Sequence, residues 1–214
     1  MEKHFLAAIF DLDGVLVKTD HFHYRAWKKL ADELGIPFDE NVNHRLRGVS
    51  RLRSLEIILE AVPGHDYELE PLAERKNNYY VEMIKTITPA DLLPGVGELL
   101  QNLKQMGVKV GVASASKNAR PVIDSLGIMN MLNTVTDGLA CAKAKPAPDV
   151  YLKCAKSLSA EPSNCVVVED AQAGIDGARK AGMFAVGVDS EKKLAGTDLL
   201  ISETSQLPLS LWHP

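Results

Sequence analysis

Short, nearly continuous apolar runs recur along the chain, at residues 6–10, 108–113, 166–168 and Phe184–Val188, with Leu199–Ile201 a further candidate. Runs of this length, rich in valine and isoleucine and lacking a polar face, predict strands of a sheet covered on both sides. Helical spacing fills the intervals between the later runs. Val96, Leu99, Leu100, Leu103 and Met106 precede Gly107; Tyr151, Leu152, Ala155 and Leu158 form a second stripe; residues 173–181 form a third segment that stops at Gly182. Strands alternating with helices predict an α/β fold with a Rossmann-like parallel sheet and right-handed crossovers.

The first interval breaks this rhythm. Nearly a hundred residues separate the run at 6–10 from the run at 108–113, and they carry three helical stripes. These are Phe22, Ala26, Trp27, Leu30, Ala31 and Leu34; then Leu52, Leu55, Ile58, Leu59 and Val62; then Leu72, Tyr80, Val81 and Ile84. One crossover helix cannot account for so much apolar surface. The expected organisation is a sheet-containing core built from residues 1–17 and 92–214, with residues 18–91 inserted after the first strand as a helical domain.

Composition narrows the class. With 46% hydrophobic and 24% charged residues in 214, the chain suits a soluble globular protein with a sizeable core. A net charge of −4 gives no electrostatic case for nucleic acid or an anionic membrane as partner. Cys141, Cys154 and Cys165 are odd in number and form no CxxC pair, so free thiols in a reducing cytoplasm are expected rather than disulfides or zinc. The N-terminal apolar run is too short for a signal peptide, and no run is long enough to span a bilayer.

The chemistry collects at the strand ends, where open α/β sheets bind ligands. The first run ends in Asp11-Leu12-Asp13. Residues two apart on a strand share a side, and two like charges at ~4 Å repel by about 4 kcal/mol at an effective dielectric near 20. A bound cation, a shared proton or a basic side chain would offset that repulsion; a solvated turn would avoid it. The second run is followed by Ser114-Ala115-Ser116-Lys117-Asn118, and the triple valine by Glu169-Asp170. Lys145 lies in AKAKPAPD, ahead of the second helical stripe. Each is unremarkable alone: an N-cap, an acidic turn, a surface lysine. Together they would bring acids, hydroxyls and a lysine to one sheet edge, a set suited to metal-assisted phosphoryl transfer.

In that order, DLDGV (11–15), SASKN (114–118), Lys145 in KPAPD (145–149) and EDAQAGI (169–175) resemble the four motifs of the haloacid-dehalogenase-like phosphotransferases. The likeness spans essentially the whole chain, with the helical insert as the family's cap domain. HFHYRAW (21–27), RGVSR (47–51), ERKNNYY (74–80) and TPADLLPG (88–95) further resemble the β-phosphoglucomutase branch. That branch interconverts β-glucose 1-phosphate and glucose 6-phosphate through β-glucose 1,6-bisphosphate. The resemblance implies Asp11 as nucleophile, Asp13 as general acid/base, and Ser114 and Lys145 as holders of the transferring phosphoryl group, assisted by the backbone at Ala115. It implies Mg²⁺ held by Asp11, Asp13 through its backbone carbonyl, and Asp170, with Glu169 close by. Arg51, helped by Ser116, Lys117 and Asn118, would hold the second phosphate, and Gly48, Val49 and Ser50 would form the cap loop that meets the sugar. His23, just past the hinge, would couple cap closure to catalysis. Trp27 and Lys76 are candidates for lining the cleft, with core packing the alternative for Trp27.

Departures from the family pattern occur at Lys18, Arg47, Cys141 and Ala171, and they touch the hinge and sugar preference rather than the reacting groups. A small-molecule sugar phosphate is the expected partner of a monomeric cytoplasmic enzyme. A phosphatase of the same family is the competing expectation, and a non-catalytic phospho-ligand binding module a third.

Overall fold

A computed structural model of the chain describes residues 4–46 and 49–212. In chain order the elements are β1 (Ala7–Phe10), α1 (Asp20–Glu33), α2 (Glu40–His44), α3 (Arg51–Leu59), α4 (Leu69–Ile84), α5 (Val96–Gln105), β2 (Lys109–Ala113), α6 (Ala119–Ser125), β3 (Thr134–Thr136), α7 (Asp149–Ser157), β4 (Cys165–Glu169), α8 (Gln172–Lys180), β5 (Phe184–Val188) and β6 (Leu199–Ile201). The six strands form one parallel sheet in the order β3-β2-β1-β4-β5-β6. The chain divides into two compact units, residues 1–18 with 87–214, and residues 19–86.

The sheet unit follows from its apolar runs. Every residue of β1 and β4 is buried, as a central strand flanked by helices requires. On one side Ile9 and Val167 pack with Val150, Tyr151 and Ala155 of α7 and Ile175 and Ala178 of α8. α5 buries Val96, Leu99, Leu100 and Leu103 of the stripe predicted from the sequence; Met106, its fifth member, follows the helix and is half-buried. β3 is an addition to the expected strands, because Thr-Val-Thr is too short and polar to stand out; paired with β2 alone, it forms one edge of the sheet.

Within residues 19–86 the helices enclose their own core. Trp27 and Leu30 of α1, Leu55 and Ile58 of α3 and Leu72 and Ala73 of α4 belong to one buried cluster. Two details differ from the periodicity. Leu52, a member of the second stripe, is 40% exposed, and the buried face starts at Ser54-Leu55 and takes in Ile57. The five-residue α2 is the other addition: it buries no residue, so it leaves no apolar pattern to read, and it starts where the Asp39 side chain accepts a hydrogen bond from the Val42 amide at 2.9 Å.

Ile9 tests the packing of the sheet. It is fully buried at the centre of β1, so Ile9→Ala should cost about 2–5 kcal/mol in urea unfolding, with the native far-UV spectrum retained. A loss below about 1 kcal/mol would contradict the packing of this face.

Candidate active site

Parallel register brings the strand ends together. β1 lies between β2 and β4, and Phe10 stands level with Val112 and Val168. The three chains therefore leave the sheet at the same height, carrying Asp11, Ser114 and Glu169 with them. The Asp11 amide donates to the Val168 carbonyl at 2.9 Å, which extends the ladder one residue beyond β1 and fixes the backbone that carries the carboxylate.

Asp11 and Glu169 are buried, and so is Lys145. The Lys145 ammonium donates to Asp11 Oδ1 at 2.5 Å and also to Glu169 Oε1. Of the offsets open to the acids at the end of β1, a basic side chain is thus present. Two buried carboxylates share one ammonium, however. Burial pushes the Asp11 carboxyl up to about 8; Lys145 opposes that shift, whereas Glu169 and Asp13 add to it. For Lys145, burial alone would lower the pKa, but the Asp11 and Glu169 carboxylates outweigh it and hold the ammonium well above its usual range.

The donor set also suits a hard divalent cation. Carboxylate oxygens of Asp11, Glu169 and Asp170 lie within 4.8 Å of one another. Oxygen-only ligation matches Mg²⁺, and a cation here would meet the charge that Lys145 alone leaves. Room for Asp170 depends on Gly14, whose φ of +84° lies in the left-handed region; a Cβ there would fall 2.1 Å from Asp170 Oδ2. β1 itself ends at Phe10, so Asp13 lies in the turn beyond it, half-buried, in an isolated bridge with Val17.

Ser114 is buried at the end of β2, and its amide donates to the Thr136 carbonyl at 3.0 Å. Its Oγ accepts from the Ser116 amide at 3.0 Å, and the Ser116 Oγ from the Asn118 amide at 3.1 Å. These two turns curl residues 114–118 into α6. Ala115 and Lys117 are exposed along the curl, and Ser116 and Asn118 are half-buried.

A second polar cluster lies within residues 19–86. Lys76, on α4, is buried; its ammonium donates to His23 Nδ1 at 2.9 Å and stands 4.7 Å from the centre of the Trp27 ring. His23 stacks on Tyr80, with ring centres 4.1 Å apart. Burial first, then the positive charges of Lys76 and Arg51, hold the His23 pKa well below 6.5. The neutral ring therefore accepts through Nδ1, because an ammonium can only donate. Trp27 is part of the buried apolar cluster, and Lys76 covers its ring. Arg51 is half-buried at the start of α3, behind the N-cap Ser50, whose Oγ accepts from the Arg53 amide at 3.3 Å. Val49 is half-buried and Ser50 exposed; Gly48, like Arg47, lies outside the described residues.

Sequence reasoning misses Tyr151. It belongs to an apolar stripe and is fully buried, yet its hydroxyl donates to Glu169 Oε1 at 2.7 Å. A phenol on a core-facing stripe needs a polar partner, and that need is the available signal. Burial and then the Glu169 charge push this phenol well above 10.0, with Lys145 acting the other way.

Comparison with known proteins agrees with this arrangement. Residues 5–182 match the family model of haloacid dehalogenase-like hydrolases. The chain is 44% identical to a β-phosphoglucomutase of Bacillus subtilis over 97% of this chain and 93% of that protein. It is 31% identical to the fructose-1-phosphate phosphatase YqaB of Escherichia coli, over 88% of this chain and 98% of that protein. A crystal structure of β-phosphoglucomutase from Clostridium difficile superposes with a TM-score of 0.90 at 43% identity, covering 96% of this chain and 94% of that one. The motifs at the strand ends, the parallel fold and these likenesses agree: the chain belongs to the haloacid dehalogenase-like hydrolase family.

Proposed function

We propose that the protein is a Mg²⁺-dependent phosphosugar mutase that interconverts β-D-glucose 1-phosphate and glucose 6-phosphate. The reaction would pass through a phosphorylated Asp11 and a β-glucose 1,6-bisphosphate intermediate. The observation that carries the reading is the buried Asp11–Lys145–Glu169 cluster at the strand ends, in a chain 44% identical to a β-phosphoglucomutase.

An Asp11 carboxylate oxygen attacks phosphorus, and the bond from phosphorus to the leaving sugar oxygen breaks. Asp13 gives its proton to that oxygen. In the return direction Asp13 takes the proton of the attacking sugar hydroxyl, and the acyl phosphate bond breaks. Ser114 and Lys145 hold the oxygens of the transferring group, with the Ala115 backbone. Asp11, the Asp13 carbonyl and Asp170 would hold Mg²⁺, with Glu169 beside them. When bound, the ion neutralises phosphoryl charge and lessens repulsion between the phosphate and the acids. Arg51 is assigned the phosphate that is not transferring, because a guanidinium grips phosphate through two parallel bonds. Ser116, Lys117 and Asn118 share that load, and Gly48, Val49 and Ser50 supply backbone groups to the sugar. The neutral His23, bonded to Lys76 beside Trp27, links residues next to the hinge to α4.

The competing reading is a phosphatase, in which water accepts the phosphoryl group; a phosphatase at 31% identity keeps it open. Formation of glucose 6-phosphate from β-glucose 1-phosphate, with a trace of the bisphosphate present, decides between them. Isomerisation that excess chelator abolishes is the expected result; release of inorganic phosphate without isomerisation would establish the phosphatase. In the same assay Asp13→Asn should lower kcat by about 100- to 10,000-fold while substrate still binds. A parent-like rate would remove Asp13 from proton transfer.

Arg51 separates the two phosphate sites. Loss of a charge-assisted hydrogen bond costs about 1.5–3 kcal/mol, or roughly 10- to 150-fold in rate. Arg51→Ala should lower the mutase kcat/KM by that factor and leave phosphorylation by acetyl phosphate, which has no second phosphate, nearly unchanged. Equal losses with both donors would mean that Arg51 supports the fold or the reacting groups instead.

A further inference from the structure

Glu169 is held more completely than a charge partner for Lys145 requires. Its Oε1 accepts from Lys145 and from the Tyr151 hydroxyl, and its Oε2 accepts from the Ala171 amide at 3.1 Å. Lys145 and Tyr151 come from one stretch of chain, on either side of the start of α7, and converge on a single oxygen. The floor beneath the Glu169 carboxylate and the Tyr151 ring is built from two glycines one turn apart on α8. A Cβ at Gly174 would fall 2.0 Å from Glu169 Cδ, and a Cβ at Gly177 would fall 3.0 Å from Tyr151 Cε2. Side chains at either position would push the carboxylate or the phenol ring out of place.

This geometry matters when an oxyanion arrives. Lys145 has three protons to donate, and in the proposed reaction some must turn toward phosphoryl oxygens. A buried carboxylate deprived of a donor is costly, and that cost would tend to keep Lys145 on Glu169. A second donor on the same oxygen removes much of it. We propose that Tyr151 is a positioning residue: its hydroxyl, on a ring that packs against Gly177, keeps Glu169 Oε1 satisfied and aimed so that Lys145 can turn to the transferring phosphoryl group. The inference rests on the assignment of Lys145 to that group. It extends the site to a side chain that touches neither substrate nor metal.

The test uses inorganic phosphate as the probe, with Mg²⁺-loaded protein and titration calorimetry. Tyr151→Phe removes one oxygen and keeps the ring. It should weaken phosphate binding by about tenfold, near the lower end for a hydrogen bond to a charged group. In a Lys145→Met background the same change should alter phosphate affinity by less than about twofold, because the effect travels through the ammonium. A purely structural tyrosine would weaken binding equally in both backgrounds, and that result, or an unchanged affinity in the parent background, overturns the proposal. Gly177→Ala, which crowds the ring and retains the hydroxyl, should show the same dependence on Lys145; it decides the question if Tyr151→Phe fails to fold. The mutase assay on the parent protein keeps the two ideas separate. A parent that does not isomerise, with the phosphate cycle still dependent on Lys145, leaves Tyr151 as a positioning residue and removes the mutase. An isomerising parent with additive phosphate losses does the reverse.

Discussion

The ammonium of Lys145 between Asp11 and Glu169 sets the terms for the whole catalytic unit. Two carboxylates cannot be buried side by side without compensation, and the cost of leaving either unpaired exceeds that of most single packing defects. The parallel register that puts β1 beside β4 forces the two acids together; the segment before α7 then has to bring a cation to them. Gly14, Gly174 and Gly177 have the same origin. Each gives up a side chain where a carboxylate or the phenol bonded to one must come close to backbone. One ammonium against these carboxylates leaves a surplus of acid that suits a divalent cation.

Much of this is legible in the order of residues along the chain. Four of the five expected strands belong to the central order β2-β1-β4-β5, and continuous apolar runs mark them because both faces are covered. The convergence of Asp11, Ser114 and Glu169 follows from the rule that ligands meet the carboxyl ends of parallel strands. What stays hidden has little or no pattern to show. β3 is two threonines around a valine, and α2 buries nothing. Tyr151 reads as apolar because its ring is; only the strand that ends in Glu169 gives its hydroxyl a purpose. Leu52 reads as buried because periodicity finds a stripe but cannot say where its edge meets solvent.

The helical unit shows the opposite balance. Its stripes are plain, but polar residues set among them do more than face solvent. Lys76 lies buried beside Trp27 and bonds a neutral histidine, an arrangement that no spacing rule foretells. Arg51 stands at the start of α3, and burial lowers its pKa while Glu74 and Tyr80 act in the opposite sense. A permanent charge is rarely withdrawn from water even in part without a partner, and a second phosphate is the partner proposed for it.

The central claim is that Asp11, one of the two carboxylates that share Lys145, is the one that takes the phosphoryl group. Trapping states this most directly: the Mg²⁺-loaded protein is treated with acetyl phosphate, quenched with hydroxylamine and digested, and the modified residue is located by mass spectrometry. The account predicts that hydroxylamine displaces phosphate from an acyl phosphate and leaves a hydroxamate on Asp11, a product absent from Asp11→Asn. A phosphoryl group that resists hydroxylamine, or one that persists in Asp11→Asn, would contradict it.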